Sequence, residues 1–291
     1  MSKVKTQHYV PRFYLEEFSS NEQIWAFDKT NKNVFKSNIS NVASENYFYD
    51  SQTLDELSGE QFIEKTLSGI EGILASKLRS IIARINEQQT RYKIDEADRI
   101  ALSELFLVQL IRTKEMRNNM ELSKKTLLEE LHTKGFTDTS AYIDSEINSK
   151  DDHLKFIITA LAKTESYDVM YDKVWVVYYN TSKHKFYTSD SPTCKHMHDD
   201  ITPNIYELFM PLSPTIGVSA LSRQNRLHPL ELRTINISNT ENVKFLNSLT
   251  IYNSHRFIFN KFNDFKLAES VMRNNPDLAK IGRPRFKIFN L

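Results

Sequence analysis

The sequence predicts an α+β protein, because helical and strand patterns occur in separate runs along the chain. Strand-like runs at residues 24–28 and 33–36 flank a polar turn at residues 29–32, which predicts an N-terminal β-hairpin. Apolar residues then recur at helical spacing over about residues 55–165. A β-rich part follows at about residues 170–260. Segregated runs of this kind favour an α+β architecture over alternating βαβ units.

The central region contains the clearest helical patterns. The first helix is expected at about residues 57–86. A second opens at Asp95, whose side chain suits an N-cap, and runs to about Glu115. The middle of this second helix is apolar nearly all round, which is typical of a buried helix. We expect one more helix that ends near Gly135 and another at about residues 151–163.

The C-terminal β-rich part is expected to form an antiparallel sheet with one helix. Strand patterns, rich in β-branched and aromatic residues, occur at residues 174–179, 185–188, 207–210, 216–221 and 256–259. Asn239 would cap a helix that runs to about Tyr252. The tail contains Pro276 and Pro284 and is expected to attach loosely. We predict a single domain over residues 1–291, with the N-terminal hairpin joining the C-terminal sheet.

Composition excludes several functional classes. The chain has 6 glycines in 291 residues, and they are too scattered for the glycine-rich phosphate loop of a Walker-type or dinucleotide-binding protein. A net charge of +1 gives no general attraction to a polyanion. The single Cys194 excludes a disulfide framework. No signal-peptide pattern and no apolar run of about 20 residues occurs, so we expect a cytoplasmic protein without a membrane partner.

Residues 8–15, HYVPRFYL, are the most informative stretch of the chain. Chain termini are usually frayed and polar, so this apolar density predicts that the N-terminus is folded into the body of the protein. Pro11 restricts Val10 to extended conformations and so fixes the neighbourhood of His8. His8 is a candidate general base or ligand, or else a histidine that satisfies backbone groups. Arg12 would clamp a phosphate or carboxylate, or else form a surface ion pair.

A second group of candidates involves the buried helix. Gln109 and Arg112 lie three residues apart and so share one helix face. An apolar helix that carries a cation inward must supply it with an acidic partner, and Asp190 is the candidate. Asp190 follows a strand in the turn sequence Ser-Asp-Ser-Pro. It could also bind a metal or orient His8, or hydrogen-bond the backbone of its own turn.

Residues 194–198, CKHMH, place potential metal ligands at alternate positions. On a strand, Cys194, His196 and His198 would project from one face, and one of the two aspartates that follow would complete a zinc tetrahedron. The spacing differs from the usual zinc patterns. Asp190, His196 and His198 are therefore candidate ligands of a divalent metal, the one cofactor that the residues suggest.

The stretch at residues 8–15 resembles the start of domain-of-unknown-function family 4238. Three further stretches resemble that family's pattern in the same order, at residues 109–113 (QLIRT), 188–192 (TSDSP) and 210–214 (MPLSP). After residue 192 the family usually continues with apolar residues, whereas this chain continues as TCKHMH. The resemblance implies a bacterial, intracellular protein and assigns no activity.

We therefore expect an intracellular hydrolase that acts on a phosphorylated or nucleic-acid-like substrate. Its site would unite, in one cleft, His8, Arg12, Gln109, Arg112 and Asp190. In that scheme Asp190 binds a cation or orients His8, and the two arginines hold anionic oxygens.

The alternative is a non-catalytic binding or sensor module, for instance in a bacterial defence or stress system, whose ligand is a protein or a small anion. A toxin or effector that needs a partner is a third hypothesis. In an enzyme the polar cluster should line an open pocket with Asp190 partly accessible. In a binding module the cluster should be sealed and paired, with an exposed apolar patch elsewhere.

Overall fold

Small β elements come first, helices follow, and a β-rich part with further helices ends the chain. The computed structural model describes residues 3–137, 149–197, 206–224 and 228–283. The α-helices are α1 (Arg12–Glu16), α2 (Gln52–Ser58), α3 (Phe62–Gln88), α4 (Glu96–Ile111), α5 (Lys114–Thr133), α6 (Ser149–Ala162), α7 (Thr164–Tyr171), α8 (Thr240–Asn253) and α9 (Lys266–Asn274). The strands are β1 (Thr6–His8), β2 (Gln23–Asp28), β3 (Asn33–Asn38), β4 (Ser44–Asn46), β5 (Val174–Asn180), β6 (Thr188–Ser189), β7 (Cys194–Met197), β8 (Tyr206–Ser213), β9 (Ile216–Leu221), β10 (Thr234–Ile237) and β11 (Phe257–Asn260). The predicted α+β class is confirmed.

The predicted hairpin of β2 and β3 is part of a four-stranded sheet. Its strands pair antiparallel from Gln23 opposite Asn38 to Asp28 opposite Asn33. The sheet order is β3-β2-β11-β6, so both remaining strands come from the C-terminal half of the chain. The hairpin therefore pairs with a C-terminal strand, but in a sheet separate from the larger one, so the prediction that it joins a single C-terminal sheet is wrong.

The larger sheet has five strands in the order β10-β5-β9-β8-β7. Neighbours from β5 to β7 are antiparallel, whereas β10 runs parallel to β5, with Thr234 opposite Val177. The prediction of a wholly antiparallel sheet is therefore wrong at this edge. Both edges of β9 are already occupied by β5 and β8. Strand β10 pairs instead at the free edge of β5, where it runs parallel.

Helix α4 is the buried helix that the sequence predicts, but it is shorter. Asp95 caps it by accepting the Asp98 N–H at 2.8 Å. The helix ends at Ile111, and Thr113 then caps α5 by accepting the Met116 N–H at 3.2 Å. The predicted continuation to Glu115 is wrong, because the Thr113 hydroxyl offers the backbone a new helix start in place of continuation.

The segment after β11 is packed, not loose. Phe265, Ala268 and Met272 are buried at helical spacing around α9. Phe265 stacks on Phe27 of β2 with ring centroids 5.8 Å apart. The predicted loose tail is therefore wrong as far as residue 279, and Pro284 lies outside the described residues.

No helix in the described ranges is both long and apolar enough to cross a membrane.

Candidate functional site

The N-terminal motif is buried and contacts the other three family-like stretches. The apolar residues of the motif are at most 7% exposed: Tyr9, Val10, Phe13, Tyr14 and Leu15. The Tyr14 hydroxyl donates to Pro211 O at 2.6 Å and lies 2.7 Å from Thr188 Oγ1. Arg112 Nη2 donates to His8 O at 2.6 Å. Stretches that are far apart in the sequence therefore meet around one buried segment, and the predicted burial of the N-terminus is confirmed.

Arg112 is the cation at the centre of this region, and its side chain is 1% exposed. Its Nη1 donates to Glu71 Oε1 at 2.6 Å, and its Nε donates to the Tyr49 hydroxyl at 3.2 Å. The acidic partner is therefore Glu71 of α3, and the predicted pairing with Asp190 is wrong. Burial disfavours the charge, but Tyr49 and Glu71 outweigh burial and raise the pKa of Arg112.

The Asp190 carboxylate accepts hydrogen bonds from backbone N–H groups and does not pair with Arg112. Its side chain is fully buried, and its two oxygens accept the N–H groups of His255, Arg256 and Phe257 at 2.7–2.8 Å. These donors are not in the turn of Asp190 itself, as one hypothesis expected, but in the segment that leads into β11. Asp190 therefore fixes the start of the strand that unites the hairpin with the C-terminal part.

His255 connects this backbone clamp to the helical region. Its Nδ1 lies 2.9 Å from Glu115 Oε2, and the two side chains are 5% and 6% exposed. Glu115 is in the first turn of α5, just after Arg112 and Thr113. His255 thus links Asp190, which accepts its N–H, to Glu115 in the helix turn that follows Arg112.

The remaining predicted residues occupy three different environments. His8 is half-buried, its Nε2 lies 3.3 Å from Ile39 O, and burial lowers its pKa. Arg12 is on the surface and pairs with Glu22 at 3.2 Å. Gln109 is fully buried, and neither polar atom of its amide has a hydrogen-bond partner among the described residues. The structure thus brings His8 and Arg112 together, while Arg12 faces solvent.

Sequence reasoning missed Glu64, which lies seven residues, or about two helical turns, before Glu71 on α3. Its side chain is half-buried, and its Oε2 is buried without a partner among the described residues. Burial raises its pKa to about 7, against the attraction of Arg112. The signal that was available is the i, i+7 spacing of Glu64 and Glu71 beside the apolar stripe of α3, where charged residues are not expected unless paired.

The raised pKa of Glu64 predicts a pH-dependent stability difference. The folded state binds the Glu64 proton more tightly than the unfolded state, so the contribution of Glu64 to stability falls as the pH rises from about 4.5 to about 7. In the variant Glu64→Gln the side chain at position 64 is uncharged at every pH. We expect it to have a higher Tm than the wild type at pH 8 and a nearly equal Tm at pH 5, as measured by differential scanning calorimetry.

Glu87→Gln is the matched control, because Glu87 is an exposed glutamate on the same helix. Its Tm difference from the wild type should be the same at both pH values. A Glu64→Gln difference that is equal at pH 5 and pH 8 would contradict the assignment.

The predicted metal ligands are only partly described. Cys194 and His196 both contact α8, Cys194 through Thr250 at 3.7 Å and His196 through its ring on Phe245. Asp190 uses both oxygens on the backbone, and no group of three His, Cys, Asp or Glu side chains within the described ranges could hold a metal ion. His198 lies outside those ranges, so the metal at Asp190, His196 and His198 stays a prediction.

Cys194 should be chemically inert in the folded protein. It is fully buried, and burial raises the pKa of its thiol to about 12. Because the thiolate is the reactive form, we expect iodoacetamide at pH 8 to alkylate the folded chain about 100-fold or more slowly than the chain in guanidinium chloride, followed by mass spectrometry. In a variant that combines Cys194→Ser with Ser20→Cys, the exposed thiol should react at the unfolded rate. Equal rates for folded and unfolded wild type would refute the burial.

A family model described as "Protein of unknown function (DUF4238)" matches residues 6–264. The matched range contains all four stretches that meet at the N-terminal motif, and it ends just before α9. No curated protein and no solved structure matches the chain.

Proposed function

Since this chain belongs to the family described as "Protein of unknown function (DUF4238)", whose description assigns no activity, we propose from the site itself that it is a non-catalytic binding or sensor module. Its ligand would be a small anion or a protein. The observation that carries the proposal is that solvent does not reach the polar residues of the predicted site: Arg112 is 1% exposed, and Gln109 and Asp190 are fully buried.

A catalytic group must touch its substrate, and these groups have no free access to one. The Nε, Nη1 and Nη2 of Arg112 all donate within the chain. Both carboxylate oxygens of Asp190 accept backbone N–H groups. Arg112 and Asp190 are thus satisfied within the chain, whereas the Gln109 amide has no partner among the described residues. Buried groups that are satisfied in this way rigidify a structure and specify one arrangement. This supports a structural role for the network, with the ligand bound elsewhere.

The proposal is tested with a panel of phosphoester substrates. Purified wild type, His8→Gln and the surface control Arg12→Gln are incubated with p-nitrophenyl phosphate, bis(p-nitrophenyl) phosphate and single-stranded RNA, each with Mg²⁺, Mn²⁺ or Zn²⁺. We expect no turnover above the protein-free blank for any of the three proteins. Turnover by wild type and Arg12→Gln that falls at least tenfold in a His8→Gln variant of unchanged Tm would overturn the proposal.

One observation favours a second candidate, a hydrolase acting on a phosphorylated or nucleic-acid-like substrate. Glu64 is half-buried, and its pKa of about 7 suits a general acid or base at neutral pH. Arg112 and Glu71 lie beside it and affect its charge. In this candidate Glu64, and not Asp190, transfers the proton.

The second candidate makes a distinct kinetic prediction. Any turnover in the same panel should disappear in Glu64→Gln, persist in Glu87→Gln and show a pH profile with an inflection near pH 7 in the wild type. Turnover that survives Glu64→Gln would eliminate this candidate.

The setting that we propose is the cytoplasm of a bacterium, in a defence or stress system. The one cysteine, Cys194, is buried and can form no disulfide within the chain, which is compatible with the reducing cytoplasm. Fractionation of a bacterium that expresses the chain should recover it with cytoplasmic markers, and recovery with periplasmic markers would contradict the proposal.

A further inference from the structure

Two cations face each other where the helical region meets the larger sheet. Lys93, between α3 and α4, forms an antiparallel bridge with Arg233, which directly precedes β10. The Ile94 N–H donates to Leu232 O at 3.0 Å, so the bridge is of the type that lies between its flanking hydrogen bonds. In this type the side chains of the opposed residues are closest and project from the same face.

Neither cation has a partner within the part of the chain that the structure describes. Like charges placed directly opposite each other destabilise a strand pair. The nearby carboxylates are engaged by other cations: Asp98 pairs with Arg84, and Glu231 lies 3.7–3.8 Å from Arg99 and Arg223. The protein therefore holds two uncompensated positive charges at one place, an arrangement that a bound anion would stabilise.

The same two residues line a cleft of about 530 Å³. Its wall also contains Thr90 and Asn236, which are both exposed residues. Asn236 Oδ1 accepts the Thr181 hydroxyl at 2.9 Å, which leaves the NH₂ end of its amide as a donor. The donor set is thus one guanidinium, one ammonium, one amide and one hydroxyl, without a carboxylate in the lining.

We propose that this cleft, the Lys93–Arg233 cleft, binds the phosphate group of a small phosphorylated molecule. A guanidinium binds two phosphate oxygens at once, and a lysine adds a compact charge. The volume lies in the range of small-molecule sites and exceeds what inorganic phosphate alone would fill. The partly buried Leu230 and Ile235 give the cleft an apolar wall for the rest of such a ligand.

The position of the cleft explains how binding would be sensed. The Thr234 hydroxyl donates to Tyr92 O at 2.9 Å, so the two sides of the cleft are already joined by hydrogen bonds. An anion between Lys93 and Arg233 would remove their repulsion and tighten this junction between helices and sheet. The inference rests on the proposed function, for which it names the site and the ligand class.

The test measures binding by isothermal titration calorimetry and thermal shift at constant ionic strength. The probes are adenosine 5′-monophosphate, inorganic phosphate, adenosine and a single-stranded DNA. We expect saturable binding of the monophosphate, weaker binding of inorganic phosphate and no binding of adenosine. Lys93→Gln and Arg233→Gln should each weaken the Kd of the monophosphate at least tenfold. Without ligand, Lys93→Gln should raise Tm, because the repulsion is gone.

The control removes two positive charges elsewhere, one more than either cleft variant, by replacing two exposed lysines, Lys155→Gln with Lys266→Gln, and should leave the Kd unchanged. Tighter binding of inorganic phosphate than of the monophosphate would overturn the small-molecule assignment in favour of the free ion. Binding of the DNA alone, lost in Lys93→Gln, would overturn it in favour of a nucleic-acid surface. Absence of binding, or equal loss in the control, would overturn the site itself. Substrate turnover would instead overturn the proposed function and leave the cleft standing.

Discussion

Replacing one member of the buried Arg112–Glu71 pair is expected to destabilise the protein by about 3–5 kcal/mol. In Glu71→Leu the guanidinium keeps its hydrogen bonds to Tyr49 and His8 O but loses the only acidic side chain that pairs with it among the described residues. Arg112 is 1% exposed, so water cannot replace the lost carboxylate. The free energy of unfolding in urea, measured at pH 7, gives the loss directly.

Replacing the other member of the pair, Arg112→Met, should lower the free energy of unfolding by a smaller amount, about 3 kcal/mol. Glu71 is 26% exposed and can regain some hydration once its partner is gone. The double variant Arg112→Met with Glu71→Leu should recover much of the stability, because no unpaired charge remains. This non-additivity is the measurement that separates a coupled pair from two independent core positions.

The control for this cycle is the exposed pair Arg79 and Glu16, which are joined at 2.8 Å with side chains 57% and 38% exposed. Arg79→Met should change the free energy of unfolding by no more than about 1 kcal/mol. If Glu71→Leu behaves like this surface variant, or if the Arg112 and Glu71 changes add independently, the buried pair does not stabilise the fold as described.

Local hydrogen bonding explains which parts of the fold could be predicted from the sequence. Asp95 and Asn239 were both expected to cap helices, and both accept a backbone N–H within three residues. Such caps depend on neighbours in the sequence and can be recognised there. The same chemistry also misleads: residues 50–53 have a turn composition, but Ser51 caps α2 by accepting the Leu54 N–H at 3.3 Å. Turns and helix caps use the same residue types.

Choices between distant segments could not be predicted in the same way. The sequence indicates that Arg112 needs an acidic partner, since an unpaired buried charge is too costly. Any of the 37 aspartates and glutamates in the chain could be that partner as far as the sequence alone shows. Only the packing of α3 beside α4 places Glu71 there and leaves Asp190 to bind backbone. The parallel pairing of β10 likewise depends on which edge of the sheet the strand reaches, which no local pattern records.

Asp190→Ala is expected to destabilise the protein by about 2–5 kcal/mol, because it removes the acceptor of three N–H groups at once, that of His255 buried and those of Arg256 and Phe257 partly buried. The loss should be local in origin: the amides of His255, Arg256 and Phe257 should lose protection in hydrogen exchange before the rest of the four-stranded sheet does, since β11 begins there.

The stability of Asp190→Asn, which keeps one side-chain oxygen, should fall between those of Asp190→Ala and the wild type. This variant gives a folded sample if Asp190→Ala does not fold. Asp277→Ala is the control, because Asp277 is 80% exposed and its one ion pair among the described residues is with Lys280, and its effect should stay within about 1 kcal/mol. An Asp190→Ala protein with wild-type stability and unchanged exchange, but without a substrate turnover that the wild type shows, would prove that this carboxylate acts on a ligand and not on the backbone.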